Sequence, residues 1–216
     1  MGTPRPLRTR GVRYQEPVPV GNSSLLASPP FLVLMMNIIS WNCRGVGSKA
    51  FPSLIRDLRY EYGANMFFLL ETHVSGARGN QIRGKIGFDS SFVMDAVGHA
   101  GGIWCLWDSS VWSVDVLEHD KQFSGGALSN NQGACKEFQD CVATCGLIDL
   151  GFVGCPYTWK RGNLAERLDR GLSNLEWQLA FPEALVKHMP MLKSDHSPIC
   201  LQLSPVSEKN RGNRKL

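Results

Sequence analysis

The sequence predicts an α/β fold, and three features of its first half carry this prediction. Residues 36–42 (MNIISWN) combine β-branched and aromatic side chains and end in a polar residue, as a buried strand does. Residues 65–70 (NMFFLL) form a second, continuous apolar run. Between them, apolar residues recur at helical spacing over 49–61. A strand, a helix and another buried strand in this order favour a layered α/β architecture.

The bulk composition is that of a globular protein. Of 216 residues, 43% are hydrophobic and 19% are charged, which argues against wholesale disorder. This length allows a sizeable core and favours a single domain. The formal net charge of +4 permits contact with phosphates but is low for a dedicated DNA-binding domain.

The elements that follow the opening are less regular. Ser48 is predicted to cap the helix over 49–61. Strand candidates with glycine breaks between them cover 88–96, 102–107 and 111–118. The period then changes, because apolar residues from Ala134 to Cys145 recur at helical spacing.

The last third of the chain returns to strands. Strand-like segments cover 157–160 and 166–172. Ser173 and Glu176 have the spacing of a capping box, which predicts a short helix to about Phe181. A final strand is predicted over 199–203.

The two ends of the chain are predicted to lie outside the domain. Residues 1–34 are rich in proline and arginine and are interpreted as a disordered leader. The domain covers 36–205, with Met35 or Met36 as a natural start, and 206–216 form a basic tail. The apolar run 25–36 is interrupted by prolines and is too short to span a bilayer, which needs roughly 20 residues.

Cysteine usage gives a weak indication of compartment. The seven cysteines include no C-x-x-C pair, so a zinc site is not expected. Buried thiols in a reducing compartment are the simplest interpretation, which favours the nucleus or the cytoplasm. No secretion signal and no membrane association are predicted.

Polar residues stand where the predicted buried strands end. Asn42 ends the first strand, Glu71 follows the second, and Asp195 and His196 precede the last. In layered α/β folds, ligands gather at strand ends. A glutamate there suits a hard cation such as Mg²⁺, and an Asp beside a His suits an oriented imidazole. Taken singly, each of these residues is also compatible with a structural role.

Five motifs in this order resemble one enzyme family. They are SWNCRG (40–45), LLET (69–72), YTW (157–159), RLDR (167–170) and SDHSPI (194–199). As a set they resemble the endonuclease/exonuclease/phosphatase family of DNase I-like and apurinic-endonuclease-like enzymes. They are most similar to the endonuclease domain of plant LINE-type retrotransposons. The resemblance covers residues 36–203 and implies a four-layer α/β sandwich that hydrolyses phosphodiesters.

The resemblance also implies a cofactor and a partner. Glu71 would be a metal ligand with Asn42 beside it, and the ion would be Mg²⁺ or Mn²⁺. The substrate would be DNA. Nothing in the sequence indicates a protein partner or an oligomer.

The same resemblance assigns roles around the scissile phosphate. His196 would contact the phosphate, and Asp195 would orient and polarise His196. Thr158 and Asp169 would support the site through hydrogen bonds, and Ser194 would help to fix the Asp-His turn. A positioned imidazole beside a cation stabilises a developing negative charge.

Two elements of the family pattern are absent from the sequence. One is a tyrosine on a central strand, and the other is the GDFN-type loop whose aspartate activates water; no D-x-N occurs anywhere in the chain. In the retrotransposon pattern, both would stand between segments resembling VLEHDKQF and SGGALS. Here Phe123 abuts Ser124 directly, which indicates an apparent internal deletion at 123/124 and an incomplete sandwich. A deletion in a decayed element, a skipped exon and an incorrect gene model would each produce this junction.

Three functional hypotheses follow. The chain is a metal-dependent endonuclease domain with impaired catalysis, a non-catalytic nucleic-acid-binding remnant, or a transposon fossil without a biochemical role. A serine hydrolase has little support, since no G-x-S-x-G occurs. Trp104 and Trp159 are predicted to be core side chains. The remaining histidines lack ligand spacing and are predicted to be structural or solvated: His73, His99, His119 and His188.

Overall fold

The structure is a computed structural model that describes residues 13–14, 36–98, 100–116 and 131–203. The predicted basic tail, the junction at 123/124 and the predicted leader apart from Arg13–Tyr14 lie outside these residues. Within them, no helix combines the length and the apolar character that a membrane span requires.

A seven-stranded mixed sheet organises the described part of the chain. Its strands, in order across the sheet, are β4 (Ser90–Met94), β5 (Ile103–Trp107), β3 (Ala64–Leu70), β2 (Asn37–Asn42), β13 (Ile199–Gln202), β12 (Leu185–His188) and β8 (Val153–Gly154). The pairs β2–β3 and β12–β8 are parallel, and the other neighbours are antiparallel. Strands from both ends of the sequence therefore share one sheet.

Short strand pairs account for the remaining strands of the described residues. They are β1 (Arg13–Tyr14) with β6 (Trp112–Ser113), β7 (Ile148–Asp149) with β11 (Leu172–Ser173), and β9 (Trp159–Arg161) with β10 (Leu164–Glu166). The family resemblance implies two large sheets packed face to face. The described residues contain one large sheet and these three pairs.

Helices flank the sheet, which confirms the α/β class. Those that pack against it are α1 (Phe51–Tyr62), α2 (Gly76–Ile86) and α4 (Leu175–Ala180), and the described residues also contain α3 (Asn131–Thr144). One buried cluster joins α1 and α2 to one face of the sheet, and its fully buried members include Ile39, Trp41, Ile55, Phe67, Ile86 and Trp104. The 3.6-residue period of α1 and the alternation along β2 direct these side chains to a common core.

The opposite face of the sheet is less well covered. Alternate residues of the same strands project there, and Ile38, Phe68, Trp107 and Leu201 are only half-buried. A second buried cluster lies on this face, and side chains from α4 and from Phe181, the residue after it, pack against that cluster.

The structure corrects both predicted helix caps. The N-cap residue of α1 is Ala50 rather than Ser48. The Ser48 hydroxyl instead accepts a hydrogen bond from the Ala50 amide at 3.3 Å. At α4, the cap is Asn174 rather than Ser173, because the Asn174 side chain accepts from the Trp177 amide at 2.9 Å.

Several strand predictions also need correction. The predicted strand over 166–172 is wrong, because β10 ends at Glu166 and β11 begins only at Leu172. In the described part of 111–118, the strand is limited to β6. Helix α2 was not predicted, because its sequence contains three glycines (GARGNQIRGKI) and lacks a clear apolar stripe.

Candidate active site

Sheet topology brings the predicted polar residues to one rim. Strands β2 and β3 are parallel, so their carboxyl ends meet, with Asn42 the last residue of β2 and Glu71 directly after β3. Strand β13 runs antiparallel to β2, so the residues preceding it reach the same end. The Ser194 hydroxyl closes this junction by donating to the Asn42 carbonyl at 2.7 Å.

Asn42 and Glu71 form the first half of the site. The Asn42 Nδ2 donates to Glu71 Oε1 at 2.8 Å. The Asn42 Oδ1 is buried and has no hydrogen-bond partner among the described residues. A buried amide oxygen without a donor carries a desolvation penalty, which a bound cation would relieve.

The backbone is strained at this rim. Arg44, Glu71 and His73 are the non-glycine residues with positive φ in the part of the chain that the structure describes, at 46°, 52° and 56°. Main-chain hydrogen bonds beyond the strand ends hold this geometry, including the one from Gly45 to the Glu71 carbonyl at 2.8 Å. Each such conformation costs of order 1–3 kcal/mol and concentrates at functional sites.

His196 and Asp169 form the second half of the site. His196 Nδ1 lies 2.9 Å from Asp169 Oδ2, and the imidazole is largely buried. The Trp41 indole donates to the His196 carbonyl at 2.9 Å, and the His196 amide donates to the Ser194 hydroxyl at 3.1 Å. The carboxylate that contacts this imidazole is Asp169, which corrects the expectation that Asp195 orients His196. A carboxylate on Nδ1 leaves Nε2 to face a substrate.

Thr158 fixes the position of Asp169. Its buried hydroxyl accepts hydrogen bonds from the amides of Leu168 and Asp169, at 3.1 and 2.9 Å. Its carbonyl accepts from the Ser197 amide at 2.6 Å, one residue beyond His196. Thr158 therefore ties the segment carrying Asp169 to the segment carrying His196.

Asp195 faces a different set of partners. Its Oδ2 accepts a hydrogen bond from the Trp159 indole at 3.1 Å, and its Oδ1 lies 2.6 Å from Arg44 Nε. Trp159 was predicted to be a core residue, but it is half-buried and anchors this carboxylate. Asp195 thus belongs to the Glu71 side of the rim.

Arg44 and His73 are two site residues that sequence reasoning missed. Arg44 Nε is 3.7 Å from Glu71 Oε2, and His73 Nε2 is also 3.7 Å from that oxygen. Both residues lie in or beside the motifs SWNCRG and LLET, so adjacency to a motif was the available signal. The interpretation of His73 as structural or solvated overlooked its contact with Glu71.

A bidentate ion pair supports the Asp169 segment. Arg167 donates to both oxygens of Asp149, at 2.9 and 2.7 Å, and its guanidinium lies over the Phe152 ring. These hydrogen bonds lower the pKa of the Asp149 carboxyl below its ordinary value. The planar fork of arginine gives such a contact a fixed direction, so the Arg167–Asp149 pair helps to set where Asp169 stands.

Cys43 lies between Asn42 and Arg44 but is unsuited to nucleophilic chemistry. Its side chain is buried, and burial raises the pKa of its thiol to about 12. Because the thiolate is the reactive form, a thiol with this pKa is inert near neutral pH. The chemistry of the rim therefore rests on oxygen ligands and the imidazole.

The donor set suits a hard divalent cation that keeps most of its water. Among the described residues, no three His, Cys, Asp or Glu side chains are clustered as a ready-made metal cage. Mg²⁺ commonly takes only one or two carboxylates together with substrate oxygens. Glu71 and the unpartnered Asn42 Oδ1 fit that requirement, and Asp195 contacts the same guanidinium as Glu71.

Comparison with solved structures gives a match to truncated Caenorhabditis elegans TDP2. The identity is 14% and the TM-score is 0.42, over 78% of this chain and 96% of that chain. No family model matches the sequence, and a search of curated proteins finds no match. The chemistry assigned to the rim therefore rests on its own side chains.

Proposed function

We propose that this chain is a divalent-metal-dependent phosphodiesterase domain of the endonuclease type, with strongly impaired hydrolysis. The observation that carries the proposal is the meeting of two pairs, Asn42–Glu71 and Asp169–His196, at one end of the sheet. An oxygen-rich pair beside an oriented imidazole suits a phosphodiester with its metal. DNA is the substrate class that the sequence motifs imply.

Each pair has a distinct task in this proposal. Glu71 and Asn42 would hold Mg²⁺ or Mn²⁺, which when bound neutralises charge on the phosphate oxygens. His196, held by Asp169, would donate a hydrogen bond to a phosphate oxygen through Nε2. Thr158 and Ser194 position these groups without touching the substrate.

Impaired hydrolysis follows from the two family elements that the sequence lacks. Loss of a general base typically removes about 10²–10⁴ in rate, and loss of an oriented donor removes roughly 10²–10³. Both missing elements would belong to the block absent at 123/124. A plant LINE-type retrotransposon origin accounts for motifs that persist on either side of this junction.

Plasmid nicking in Mg²⁺ or Mn²⁺ tests the proposal. The wild type and Glu71→Ala are both expected to nick supercoiled DNA no faster than buffer with metal. Nicking by the wild type that disappears in Glu71→Ala would contradict the impairment and would support an intact enzyme. Glu61→Ala, an exposed change in α1, is the matched control.

A second candidate function is nucleic-acid binding without catalysis. An open groove of about 690 Å³ borders the site, lined by residues that include Tyr157, Lys160 and Met191. A half-exposed aromatic ring beside a lysine suits base stacking next to a phosphate. DNA binding that weakens with salt, needs no divalent metal and survives Glu71→Ala would favour this function.

A further inference from the structure

Arg44 lies between the two carboxylates at the metal side of the rim. Its Nε is 2.6 Å from Asp195 Oδ1 and 3.7 Å from Glu71 Oε2. Asp195 precedes β13 and Glu71 follows β3, so strands that are far apart in the sequence bring the two carboxylates together. The guanidinium thus faces the oxygen atoms that would serve a hard cation.

We propose that Arg44 is an internal counter-ion that competes with the divalent cation for Glu71 and Asp195. This inference rests on the proposed function, because it assumes that the rim takes a metal. Metal entry then requires the guanidinium to leave the carboxylates. Arginine keeps its charge at every physiological pH, so Arg44 competes with the cation throughout that pH range.

The surroundings of the ion pairs suit an exchange of cations. The Arg44 side chain is 46% exposed, so it has a way into solvent. Asp195 is also held by the Trp159 indole, and Glu71 by the Asn42 amide. The two carboxylates therefore keep their positions when the guanidinium departs.

Electrostatics sets the size of the expected effect. Glu71, Asp195 and Arg44 together carry one negative charge, and without the guanidinium they carry two. Even in a water-like dielectric, a unit charge about 5 Å from a divalent ion changes its affinity by about tenfold or more. Low ionic strength is needed, because salt screens exposed charges.

Terbium luminescence measures metal binding without any DNA or turnover. Tb³⁺ is a hard, oxygen-seeking cation, and the Trp159 indole on Asp195 is placed to sensitise its emission. Removal of the charge in Arg44→Met is expected to tighten Tb³⁺ binding at least tenfold, with Mg²⁺ displacing it. Arg44→Lys, which keeps the charge, is expected to stay within about threefold of the wild type.

Two further variants complete the design. Arg59→Met removes an arginine paired with Asp108 at 3.2 Å and is expected to leave Tb³⁺ affinity unchanged. Glu71→Gln, made alone and added to Arg44→Met, is expected to abolish Tb³⁺ binding at the rim. Should Arg44→Met fail to fold by circular dichroism, Arg44→Gln provides the same comparison.

The outcomes separate this inference from the proposed function. Equal Tb³⁺ affinity in Arg44→Met and the wild type, with binding lost in Glu71→Gln, would overturn the role of Arg44 and leave the metal site standing. Saturable Tb³⁺ binding that Glu71→Gln leaves unchanged, or no binding in any variant, would overturn both the role of Arg44 and the proposed metal site.

Discussion

At the scale of single residues, Thr158 connects the two segments that carry Asp169 and His196. Its hydroxyl accepts two main-chain hydrogen bonds from the segment that carries Asp169, and Asp169 in turn contacts His196. A buried acceptor that serves two amides leaves both unsatisfied when it is removed. The pairing of Asp169 with His196 therefore depends on a side chain that would not touch substrate.

Thr158→Val tests this dependence, because valine has nearly the same shape without the hydroxyl. We expect the free energy of unfolding to fall by about 1–3 kcal/mol, as two buried amides lose their acceptor. Urea unfolding measures the change. Thr144→Val, at the exposed end of α3, is the control and should differ little from the wild type.

Thiol reactivity gives a second prediction at this scale. Burial raises the pKa of Cys43, Cys105 and Cys200 to about 12, whereas Cys155 is exposed. At pH 8, N-ethylmaleimide should label Cys155 in the folded protein and spare the other three, as mapped by mass spectrometry. Labelling of Cys43 as fast as Cys155 would show that the rim beside Asn42 is open.

At the scale of elements, the loop after β3 packs closely against Gly102, and a side chain at this position would disturb that packing. This glycine has φ of 89°, and a Cβ there would collide with the buried Thr72 hydroxyl. Gly102→Ala should lower stability by about 1–3 kcal/mol, as strain and overpacking add. Thermal unfolding measures it.

Gly84→Ala is the matched control for that substitution. Gly84 lies inside α2 with open space around its Cα, and alanine favours a helix by about 1 kcal/mol. This variant should therefore raise the melting temperature slightly. Equal destabilisation by the two substitutions would contradict the packing described for Gly102.

The Asp149–Arg167 pair predicts a pH dependence for the link between β7 and the Asp169 segment. Because the pKa of Asp149 is lowered in the folded chain, its stabilising effect is present above the ordinary value of 3.8 and is lost as pH falls through the lowered pKa. Asp149→Asn should unfold more readily than the wild type at pH 6, measured in urea. The difference should shrink below about pH 4, and a constant difference would contradict the assignment.

The elements also show what sequence could predict. Strands β2 and β3 and helix α1 were predicted because their apolar periods are local and strong. Helix α2 was missed because its apolar stripe is faint. The choice of Asp169 over Asp195 as the partner of His196 could not be predicted, because it depends on a contact between segments that are 27 residues apart.

At the scale of the whole molecule, the two sheet faces differ in cover. One face is buried beneath α1 and α2, and the other leaves Ile38, Phe68 and Trp107 half-buried among the described residues. These half-buried side chains leave part of their apolar surface in contact with water, so the protein should self-associate as its concentration rises, as light scattering would show.

Glu71 and His196 are proposed to bind one phosphodiester, Glu71 through a divalent metal and His196 directly. Fluorescence anisotropy of a labelled DNA duplex, titrated with and without Mg²⁺, tests it most directly. Mg²⁺ should tighten binding by the wild type, and Glu71→Ala should lose that increment while keeping the metal-independent component. His196→Ala should weaken binding both with and without Mg²⁺, because it removes a direct hydrogen bond to the phosphate. Binding that is identical with and without Mg²⁺ in all three proteins would contradict the claim.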